Sequence, residues 1–591
     1  KVEKTDNTKG QITGDKIKIT GKELNNTEGQ IIGNDLNLNT RKIENTRGIL
    51  LAGDIKISAK DLENTEGAIQ GSNLSLDIKD TINNTKGLIL GEENLSVVTK
   101  VLKNIEGQLL SNGELKLDTK EIDNTKGQIS GELKEINGDK LINEDGKILT
   151  NKELDINVKN VDNTNGEIYS AERIKAVGDI LNNVNGEIHS AGKIEIEVKN
   201  VNNTKGYILA DGIQKEDLEK KENSTNNNDK NEENNQISDK TENPIQKSIT
   251  ITGDKLNNTD GTIAGIGEIG IGVKNTDNTK GKITGNSIEI TGINLNNTEG
   301  ILQSNTSIAL GIDSIINIKG IITGDEVNIK AENLNNTEGQ ITANDLILDS
   351  SVNNTKGLIL SNTITLKGRE LINKEGSIKG SEIASSIEKL DNTLGNIEGL
   401  GKVELLNLIN NGGKVSSDYY ISIRNTADLE NTNGMIDVKE SEGGIEITLG
   451  KDLENSGGQI VSKGVVLIDS LGDMTLEGKI EGLEGTKIEA NTLTTREIIN
   501  TWQGLLDVKM IEVQKLVLIS ILRAAEPMLN GILKTFPDAK SGFLGMKRDE
   551  QTSLSRIFYE NIPNLENKTV LLLDPMLATG GSLIHGITHL K

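Results

Sequence analysis

The sequence predicts an all-β solenoid over residues 1–494, built from coils of 19–20 residues, followed by a partial α/β domain over residues 495–591. Three observations lead to this prediction. Glycine recurs at a nearly fixed interval, apolar and polar residues alternate between successive glycines, and the composition changes near Thr495. A fixed short period is typical of repeat proteins, whose units stack to share one core.

The repeat is marked most clearly by the glycine that follows Asn-Thr-Xaa or a close variant of it. In a first array these glycines are 19 or 20 residues apart: Gly10, Gly29, Gly48, Gly67, Gly87, Gly107, Gly127, Gly146, Gly166, Gly186 and Gly206. In a second array the interval is 18 to 20: Gly261, Gly281, Gly300, Gly320, Gly339, Gly357, Gly376 and Gly395. Gly434 and Gly458 continue the pattern less regularly.

The unit "ITGDKIKITGKELNNTEGQI" (12–31) shows how one coil is built. Ile17 and Ile19 alternate with lysines, which is the period of a strand with one buried face. Asn and Gly both tolerate left-handed backbone angles, so "NNTEG" is predicted to form a corner. A unit this short buries its apolar face only by stacking. A leucine-rich repeat can have the same period, but its fixed Leu spacing is not visible here.

Residues 215–247 interrupt the repeats with a polar, charged stretch that has almost no large apolar residues. Such a segment cannot bury enough surface to fold. We predict a disordered loop extruded between two coils, or a linker between two rods. The predicted domains are therefore repeats at 1–214 and 248–494, the segment 215–247, and a distinct domain at 495–591.

The composition restricts the functions open to the chain. Its net charge of −24 opposes binding to nucleic acid and to anionic membrane surfaces. The absence of cysteine excludes disulfides and thiolate metal sites. No apolar run approaches the ~18 residues of a membrane span. Lys1 begins inside a repeat, so we expect a fragment in which a missing signal peptide says nothing about targeting.

The repeats are not expected to carry catalytic or metal-binding groups. The many "NNT" triplets match the N-glycosylation pattern, but at this density we interpret them as corners. The nonapeptide of calcium-binding β-rolls is absent. His189 stands alone in "NGEIHSAG" and is predicted to lie on a corner or a solvent face.

The last 97 residues have a different composition. They carry eleven basic and ten acidic residues, a net of +1, so the first 494 carry −25. They also contain four of the five prolines, all three phenylalanines and the only tryptophan. Two apolar runs, "LVLISIL" (516–522) and "VLLLD" (570–574), each precede a loop and a helical pattern. Repeated strand–loop–helix units predict a parallel sheet that binds its ligand at the carboxyl ends of the strands.

The second of these loops has the chemistry of a phosphate site. Gly580 and Gly581 let backbone N–H groups approach an anion, and Thr579 and Ser582 add hydroxyl donors. Asp574, at the end of its strand, is placed to accept hydrogen bonds from sugar hydroxyls. A Gly-Gly turn alone would be weak evidence, because it is common in plain strand–helix connections.

The Asn-Thr-Xaa-Gly corners and Ile/Leu strands of residues 1–494 resemble the haemagglutinin repeats of filamentous haemagglutinins and contact-dependent toxin stalks. That resemblance implies a right-handed parallel β-helix. It also implies secretion through an outer-membrane two-partner transporter and a role in adhesion to a receptor on a host or neighbouring cell, or in displaying a distal domain.

The carboxyl-terminal segment, from about residue 496 to 591, resembles uracil phosphoribosyltransferases. "LLLDPMLATGGS" looks like their phosphoribosyl pyrophosphate loop, "ILRAAEPMLNGILKTFPDAKSGFLGMKRDEQT" (521–552) resembles the preceding segment, and "INTWQG" (499–504) an earlier one. The resemblance implies that Ala578, Thr579, Gly580, Gly581 and Ser582 hold the 5′-phosphate. It also implies that Asp574 holds the ribose hydroxyls and stabilises developing positive charge, while Arg523 and Arg548 neutralise the pyrophosphate, usually with Mg²⁺.

The segment departs from that family at several positions and in length. "SILRAA" replaces "PILRAG", with Ser520 and Ala525 at the changed positions, and "TSLS" (552–555) replaces "TLEP". The chain has no counterpart of the later strands and the uracil-recognising segment, so we expect a truncated module. Four hypotheses stay open: a secreted adhesin rod, a cytoplasmic uracil phosphoribosyltransferase of pyrimidine salvage, a toxin tip on a stalk, and a fusion of unrelated fragments near Thr495.

Overall fold

The protein was analysed as a computed structural model that describes residues 2–212, 247–476, 478–495, 499–501, 504–506, 516–522, 525–548, 555–574 and 581–591. The chain divides into two compact units, Lys1–Ile409 and Asn410–Lys591. The predicted segment 215–247 lies outside the described residues except for Lys247, which begins a strand.

The described part of the first unit, residues 2–212 and 247–409, contains thirty strands. They are β1 Val2–Asp6, β2 Gln11–Asn25, β3 Gln30–Asn39, β4 Lys42–Glu44, β5 Ile49–Glu63, β6 Ala68–Asn83, β7 Leu88–Lys103, β8 Gln108–Asp123, β9 Gln128–Ile142, β10 Lys147–Thr150, β11 Leu154–Asp162, β12 Glu167–Ser170, β13 Arg173–Asn182, β14 Glu187–Ser190, β15 Lys193–Asn202, β16 Tyr207–Leu209, β17 Lys247–Asn257, β18 Thr262–Ala264, β19 Glu268–Asp277, β20 Lys282–Asn296, β21 Ile301–Ile316, β22 Ile321–Thr323, β23 Glu326–Asn335, β24 Gln340–Thr342, β25 Asp345–Asn353, β26 Leu358–Leu360, β27 Thr363–Ile372, β28 Ser377–Asp391, β29 Asn396–Leu406 and β30 Leu408–Ile409.

Each coil of this unit pairs in parallel with the equivalent coil one period further along the chain. Ile31 lies opposite Leu50, and Leu50 lies opposite Ile69. These inward-facing side chains are fully buried, so Ile and Leu form continuous columns through the interior. The predicted parallel β-solenoid is confirmed, whereas its handedness stays a prediction.

A ladder of buried asparagines runs along one corner of the solenoid. In each rung, Nδ2 of one asparagine donates to Oδ1 of the asparagine in the next coil at 2.7 Å, as from Asn124 to Asn143 and from Asn143 to Asn163. The same Nδ2 of Asn143 also donates to the carbonyl oxygens of Gly146 and Glu167. The ladder therefore satisfies a fully buried amide in every coil. Its nineteen members in the first unit are Asn7, Asn26, Asn45, Asn64, Asn84, Asn104, Asn124, Asn143, Asn163, Asn183, Asn203, Asn258, Asn278, Asn297, Asn317, Asn336, Asn354, Asn373 and Asn392.

The corner differs from the prediction in which residue has the left-handed backbone. That conformation belongs to the Xaa of Asn-Thr-Xaa-Gly, for example Glu28 at φ 53° and Arg47 at φ 54°. The glycine that follows is required for another reason. A Cβ on Gly48 would lie 2.2 Å from the carbonyl oxygen of Asn26 in the preceding coil. Glycine therefore permits the coils to approach, while the asparagine supplies the buried amide.

The coils on either side of residues 213–246 stack directly on each other. Ile194 pairs with Ile249, and Asn203 continues the ladder to Asn258 at 2.7 Å. The carboxylate of Asp211 also accepts a hydrogen bond from the backbone N–H of Ile266 at 2.9 Å. The coils before and after residues 213–246 therefore belong to one continuous stack.

Exposed lysine–carboxylate pairs join successive coils at a second corner. The Asp80 carboxylate accepts a hydrogen bond from Lys100 at 2.6 Å, and Asp254 accepts one from Lys274 at the same distance. These hydrogen bonds lower the pKa of both Asp80 and Asp254. Lys159 likewise lowers the pKa of Asp139.

These lowered pKa values predict a loss of solenoid stability in acid. The stabilising contribution is present above the ordinary carboxyl pKa and is lost as pH falls through the lower folded-state value. We therefore expect the thermal midpoint, followed by circular dichroism, to fall between pH 5 and pH 2. Changing Asp80, Asp139 and Asp254 together to Asn should reduce that fall, and an unchanged fall would contradict the assignment to these pairs.

The second unit contains further solenoid strands and then a four-stranded sheet with two helices. The solenoid strands and hairpin are β31 Lys414–Ser417, β32 Tyr420–Asn425, β33 Leu429–Glu430, β34 Met435–Val438, β35 Gly444–Leu449, β36 Leu453–Glu454, β37 Gln459–Ser462, β38 Val465–Ser470, β39 Asp473–Leu476, β40 Lys479–Gly482, β41 Gly485–Glu489, β42 Thr492–Thr495, β43 Ile499–Thr501 and β44 Gly504–Leu506. The remaining elements are β45 Leu516–Leu522, α1 Glu526–Thr535, β46 Lys540–Arg548, β47 Ser555–Asn561, β48 Thr569–Leu573 and α2 Gly581–Leu590. Three buried asparagines, Asn410, Asn431 and Asn455, continue the ladder motif within this unit.

Candidate functional site

The sheet near the carboxyl end brings three strand ends to one edge. Strand β45 lies between β46 and β48 and is parallel to both, with Leu522 opposite Gly545 and Ser520 opposite Leu573. Strand β47 closes the far side and is antiparallel to β46. The parallel arrangement predicted for the two apolar runs is confirmed, and their carboxyl ends are adjacent.

The two helices cover opposite faces of this sheet. Leu529 of α1 packs with Leu518 and Leu573 on one face. Leu590 of α2 packs on the other face, in the cluster that contains Val517 and Ile519. Gly586 lets α2 lie close to the sheet, since a Cβ there would be 2.8 Å from Cδ2 of Leu572. This is a layered α/β arrangement with the strand–loop–helix order predicted from the sequence.

The structure places part of the predicted phosphate site. Asp574 directly follows β48 and is partly buried, and Gly581 and Ser582 form the first residues of helix α2. Arg548 is the last residue of β46, so its backbone lies at the same edge. The predicted residues Arg523, Ala578, Thr579 and Gly580 lie outside the described residues.

The chemistry of this edge suits an anion that also carries hydroxyl groups. The amino end of a ten-residue helix presents unpaired N–H groups and a favourable dipole to a negative charge. Asp574, one residue beyond β48, offers a carboxylate that accepts hydrogen bonds from hydroxyls. A single carboxylate also fits a Mg²⁺ ion held mainly by phosphate oxygens.

The histidines differ in their surroundings. His589 of α2 pairs with Glu560 of β47, and its side chain is exposed. His189 was predicted to lie on a corner or solvent face, and that prediction is wrong. Its side chain is buried. The ring packs edge-to-face against Tyr169 with the ring centroids 5.2 Å apart, and Nδ1 lies 3.8 Å from Oε1 of Glu187. The parallel register explains this burial, because it stacks Tyr169 and Leu209 on either side of His189.

Within the described ranges, no group of three His, Asp or Glu side chains is arranged to hold a metal ion. Neither helix in that part of the chain has the length and apolarity needed to cross a membrane. The asparagine ladder and the close approach at the corner glycines were not predicted. One signal for the ladder was present, because Asn is retained when Thr is lost, as in "NIEG" (104–107) and "NVNG" (183–186).

The fold and the sheet edge together define a parallel β-solenoid joined to an α/β segment whose edge is suited to phosphate. Comparison with known families gives the same two parts. The haemagglutinin-repeat family matches residues 72–144, 133–198, 295–351, 340–386 and 439–478. The uracil phosphoribosyltransferase family matches residues 486–591. Both predicted resemblances are confirmed.

Individual relatives match the carboxyl-terminal segment. The uracil phosphoribosyltransferase of Aquifex aeolicus (strain VF5) is 46% identical over 85 residues, which cover 14% of this chain and 41% of the relative. That of Acinetobacter baylyi (strain ATCC 33305 / BD413 / ADP1) is 42% identical over 94 residues, covering 16% of this chain and 44% of the relative. The chain thus spans less than half the length of these relatives.

A solved structure, that of the AQ2163 protein from Aquifex aeolicus, is 41% identical and covers 16% of this chain and 45% of its own. The TM-score of 0.13 supports no conclusion about the fold.

Proposed function

We propose that the protein is a secreted, cell-surface adhesin rod of the filamentous haemagglutinin type, exported by an outer-membrane two-partner transporter. The observation that carries the proposal is the match of haemagglutinin repeats to the solenoid. A parallel stack with a net charge of −24 supports a long surface that stays in solution and resists non-specific binding to anionic membranes. In this proposal the haemagglutinin repeats occupy residues 1–214 and 248–494. Residues 215–247 lie between them, and residues 495–591 form the carboxyl-terminal domain.

The surface location can be tested in the bacterium that produces the protein. Antibodies raised against residues 1–212 should label intact cells, and the antigen should be lost from the surface when the cognate transporter is deleted. Labelling only after lysis would overturn the proposal. A binding assay with purified residues 1–591 on host and neighbouring cells then tests adhesion, with heat-unfolded protein as the control.

A second candidate function concerns the carboxyl-terminal segment, where the sheet edge and the family match favour binding of phosphoribosyl pyrophosphate. Asp574 would contact the ribose hydroxyls, Ala578 to Ser582 the 5′-phosphate, and Arg523 and Arg548 the pyrophosphate. Mg²⁺, when bound, would neutralise the pyrophosphate, and Asp574 would be its carboxylate ligand. A complete enzyme of this kind would convert uracil to uridine monophosphate in pyrimidine salvage, and a segment displayed on a stalk could act as a toxin tip.

We expect the polypeptide of residues 1–591 to bind phosphoribosyl pyrophosphate weakly and to form no uridine monophosphate from uracil. The matched segment is only 44% of the enzyme from Acinetobacter baylyi. Holding both reactants together can contribute about 7–11 kcal/mol of barrier lowering, which a partial site loses. The measurement is product formation with Mg²⁺, with the Aquifex aeolicus enzyme as positive control.

Turnover at ordinary enzyme rates that Asp574→Asn abolishes would contradict this expectation. The competing interpretation, that two unrelated fragments were fused near Thr495, is tested separately. Sequencing DNA from the source organism across the codon for Thr495 should give one continuous reading frame if the two parts form one protein.

A further inference from the structure

One face of the first unit carries no charge over seven successive coils. This uncharged face consists of the residues one and three positions after each corner glycine from Gly10 to Gly127. The residue between them points inward and is fully buried, as with Leu50 and Ile69, so the face points outward. Its apolar members include Ile32, Ile49, Leu51, Leu88, Leu90 and Leu110, and the rest are Gln, Thr, Ala and Ser.

This is the longest uncharged run in the row, since the second array repeats it over only four coils, after Gly300, Gly320, Gly339 and Gly357. Charged residues make up 26% of the chain, so about four of the fourteen positions would be charged at the average frequency. In the following coils the same row carries Lys147, Glu167 and Glu187, which stack in register. Ile49 and Leu51 are each 38% exposed, so the face leaves aliphatic surface in water. Flat apolar surface of this kind is typical of an interaction site.

The row of residues that borders this face alternates in sign. Lys9, Arg47, Lys86 and Lys126 are positive, and the equivalent residues in the coils between and after them, through Asp145, are negative. Within one chain, residues of this row form ion pairs with residues of the adjacent coil, and these pairs are exposed. Nη2 of Arg47, for example, lies 2.9 Å from Oε1 of Glu28. Exposed pairs of this kind are worth about 0–1 kcal/mol, so the row remains available to a partner.

A second copy of this chain can pack antiparallel on the uncharged face. The alternating row of the second copy then lies against the same row of the first, and the charges match. A two-fold axis between the coils of Glu66 and Lys86 brings each residue opposite one of the other sign. The facing pairs are Glu66 with Lys86, Arg47 with Glu106, Glu28 with Lys126, and Lys9 with Asp145. Such an isologous arrangement closes on itself and gives a dimer rather than a fibre.

A parallel copy matches less well, because it brings the alternating row against the other border of the face. That border has Lys16 in its first coil and then acidic or polar residues, with Asp35, Asp54 and Glu114 at equivalent positions in the register. Glu28 would then lie opposite Asp35, and Glu106 opposite Glu114. Like charges in facing positions are unfavourable.

We propose that the uncharged face is a self-association surface on which two chains pack antiparallel, sheet against sheet. Seven coils at about 4.8 Å and four residues at about 3.3 Å give roughly 450 Å² per chain. Interfaces of this size are at the weak end of specific association. The dimer is therefore expected at tens of micromolar protein and should dissociate on dilution.

Sedimentation of residues 1–591 over a range of concentrations tests the surface. Leu51→Lys with Leu90→Lys should raise the dimer dissociation constant at least tenfold. The matched control is Val98→Lys, which lies in the same coil as Leu90 but eight residues further along β7 and off the uncharged face, is 40% exposed and should change nothing. Circular dichroism checks that each variant keeps its strands. A monomer at all concentrations, or an equal effect of the control, would overturn the proposal.

Charge exchange and cross-linking test the antiparallel register even if the lysine variant fails to fold. Glu66→Lys should weaken the dimer about three- to tenfold, and adding Lys86→Glu should restore it. Because the chain has no cysteine, Ile32→Cys and Ser130→Cys can be mixed and oxidised. These two positions face each other only in the antiparallel dimer. Cross-links between Ile32→Cys chains alone would show a parallel arrangement and refute the proposal.

Discussion

Gly166→Ala is expected to open the solenoid locally and increase amide exchange more than a hundredfold in the flanking coils. A Cβ at this position would lie 2.0 Å from the carbonyl oxygen of Asn143 and 2.6 Å from Oδ1 of Asn163. Neither atom is free to move, because Asn143 and Asn163 are both rungs of the buried ladder. Overpacking against fixed groups costs about 3 kcal/mol, which corresponds to such a change in exchange.

The measurement is hydrogen exchange followed by mass spectrometry, because a long repeat array does not unfold in one step. Gly311→Ala is the matched control. Its Cβ would meet nothing nearer than Cγ2 of Thr291 at 3.7 Å, an ordinary contact, so exchange near Gly311 should stay the same or become slower. Equal effects of the two substitutions would show that glycine is needed for backbone freedom rather than for close approach.

Asn143→Asp should be the most damaging single change in the ladder at neutral pH. Nδ2 of Asn143 donates to Oδ1 of Asn163 and to the carbonyl oxygens of Gly146 and Glu167. An ionised aspartate would place a buried carboxylate against three acceptors. Breaking such a network by leaving a charge unpaired costs about 3–5 kcal/mol, whereas Asn143→Ala should cost about 1–3 kcal/mol.

The pH dependence of the Asn143→Asp variant distinguishes the effect of the new negative charge from the effect of the changed side-chain shape. Burial raises the folded-state pKa of the new carboxyl, so the folded chain binds its proton more tightly than the unfolded chain does. Stability therefore falls as pH rises from about 4 through the folded-state pKa, and the difference between the Asp and Ala variants is small near pH 3. Local exchange rates at pH 3 and pH 7, corrected for intrinsic rates, provide the measurement.

Asn37→Asp is the control, because Asn37 is exposed in the middle of strand β3. It should change local exchange little at either pH. If Asn143→Asp were equally harmless at pH 7, the ladder would not contribute to stability in the way its geometry indicates.

Much of the solenoid could be predicted because its information is local and repeated. The glycine interval gave the coil length, and the alternation of Ile17 and Ile19 with lysines gave the inward face. An in-register stack then follows, since a shift of one residue between equivalent coils would bring polar residues into the core. In the carboxyl-terminal segment, the apolar runs at 516–522 and 570–574 likewise predicted strands, which the structure contains as Leu516–Leu522 and Thr569–Leu573.

The corner could not be assigned in the same way. Asn and Gly have the same local preference for turns, so propensity does not say which of them is left-handed and which is buried. Only the neighbouring coil supplies the amide that satisfies Asn143 and the carbonyl oxygen that excludes a side chain at Gly166. The sequence indicates where the chain bends, but it does not indicate which groups of the neighbouring coil the bend contacts.

By itself, then, the sequence determined the coil period, the buried columns and the identity of the strand–loop–helix segment, because each depends on residues close together in the chain. The tertiary structure decided the asparagine ladder, the direct stacking of the coils before and after residues 213–246, and the antiparallel placement of β47 beside β46. The physical reason is that these features join residues far apart in the chain. Such a contact depends on the hydrogen bonds it completes and on the side chains for which it leaves no room, and the local preferences of the residues specify neither.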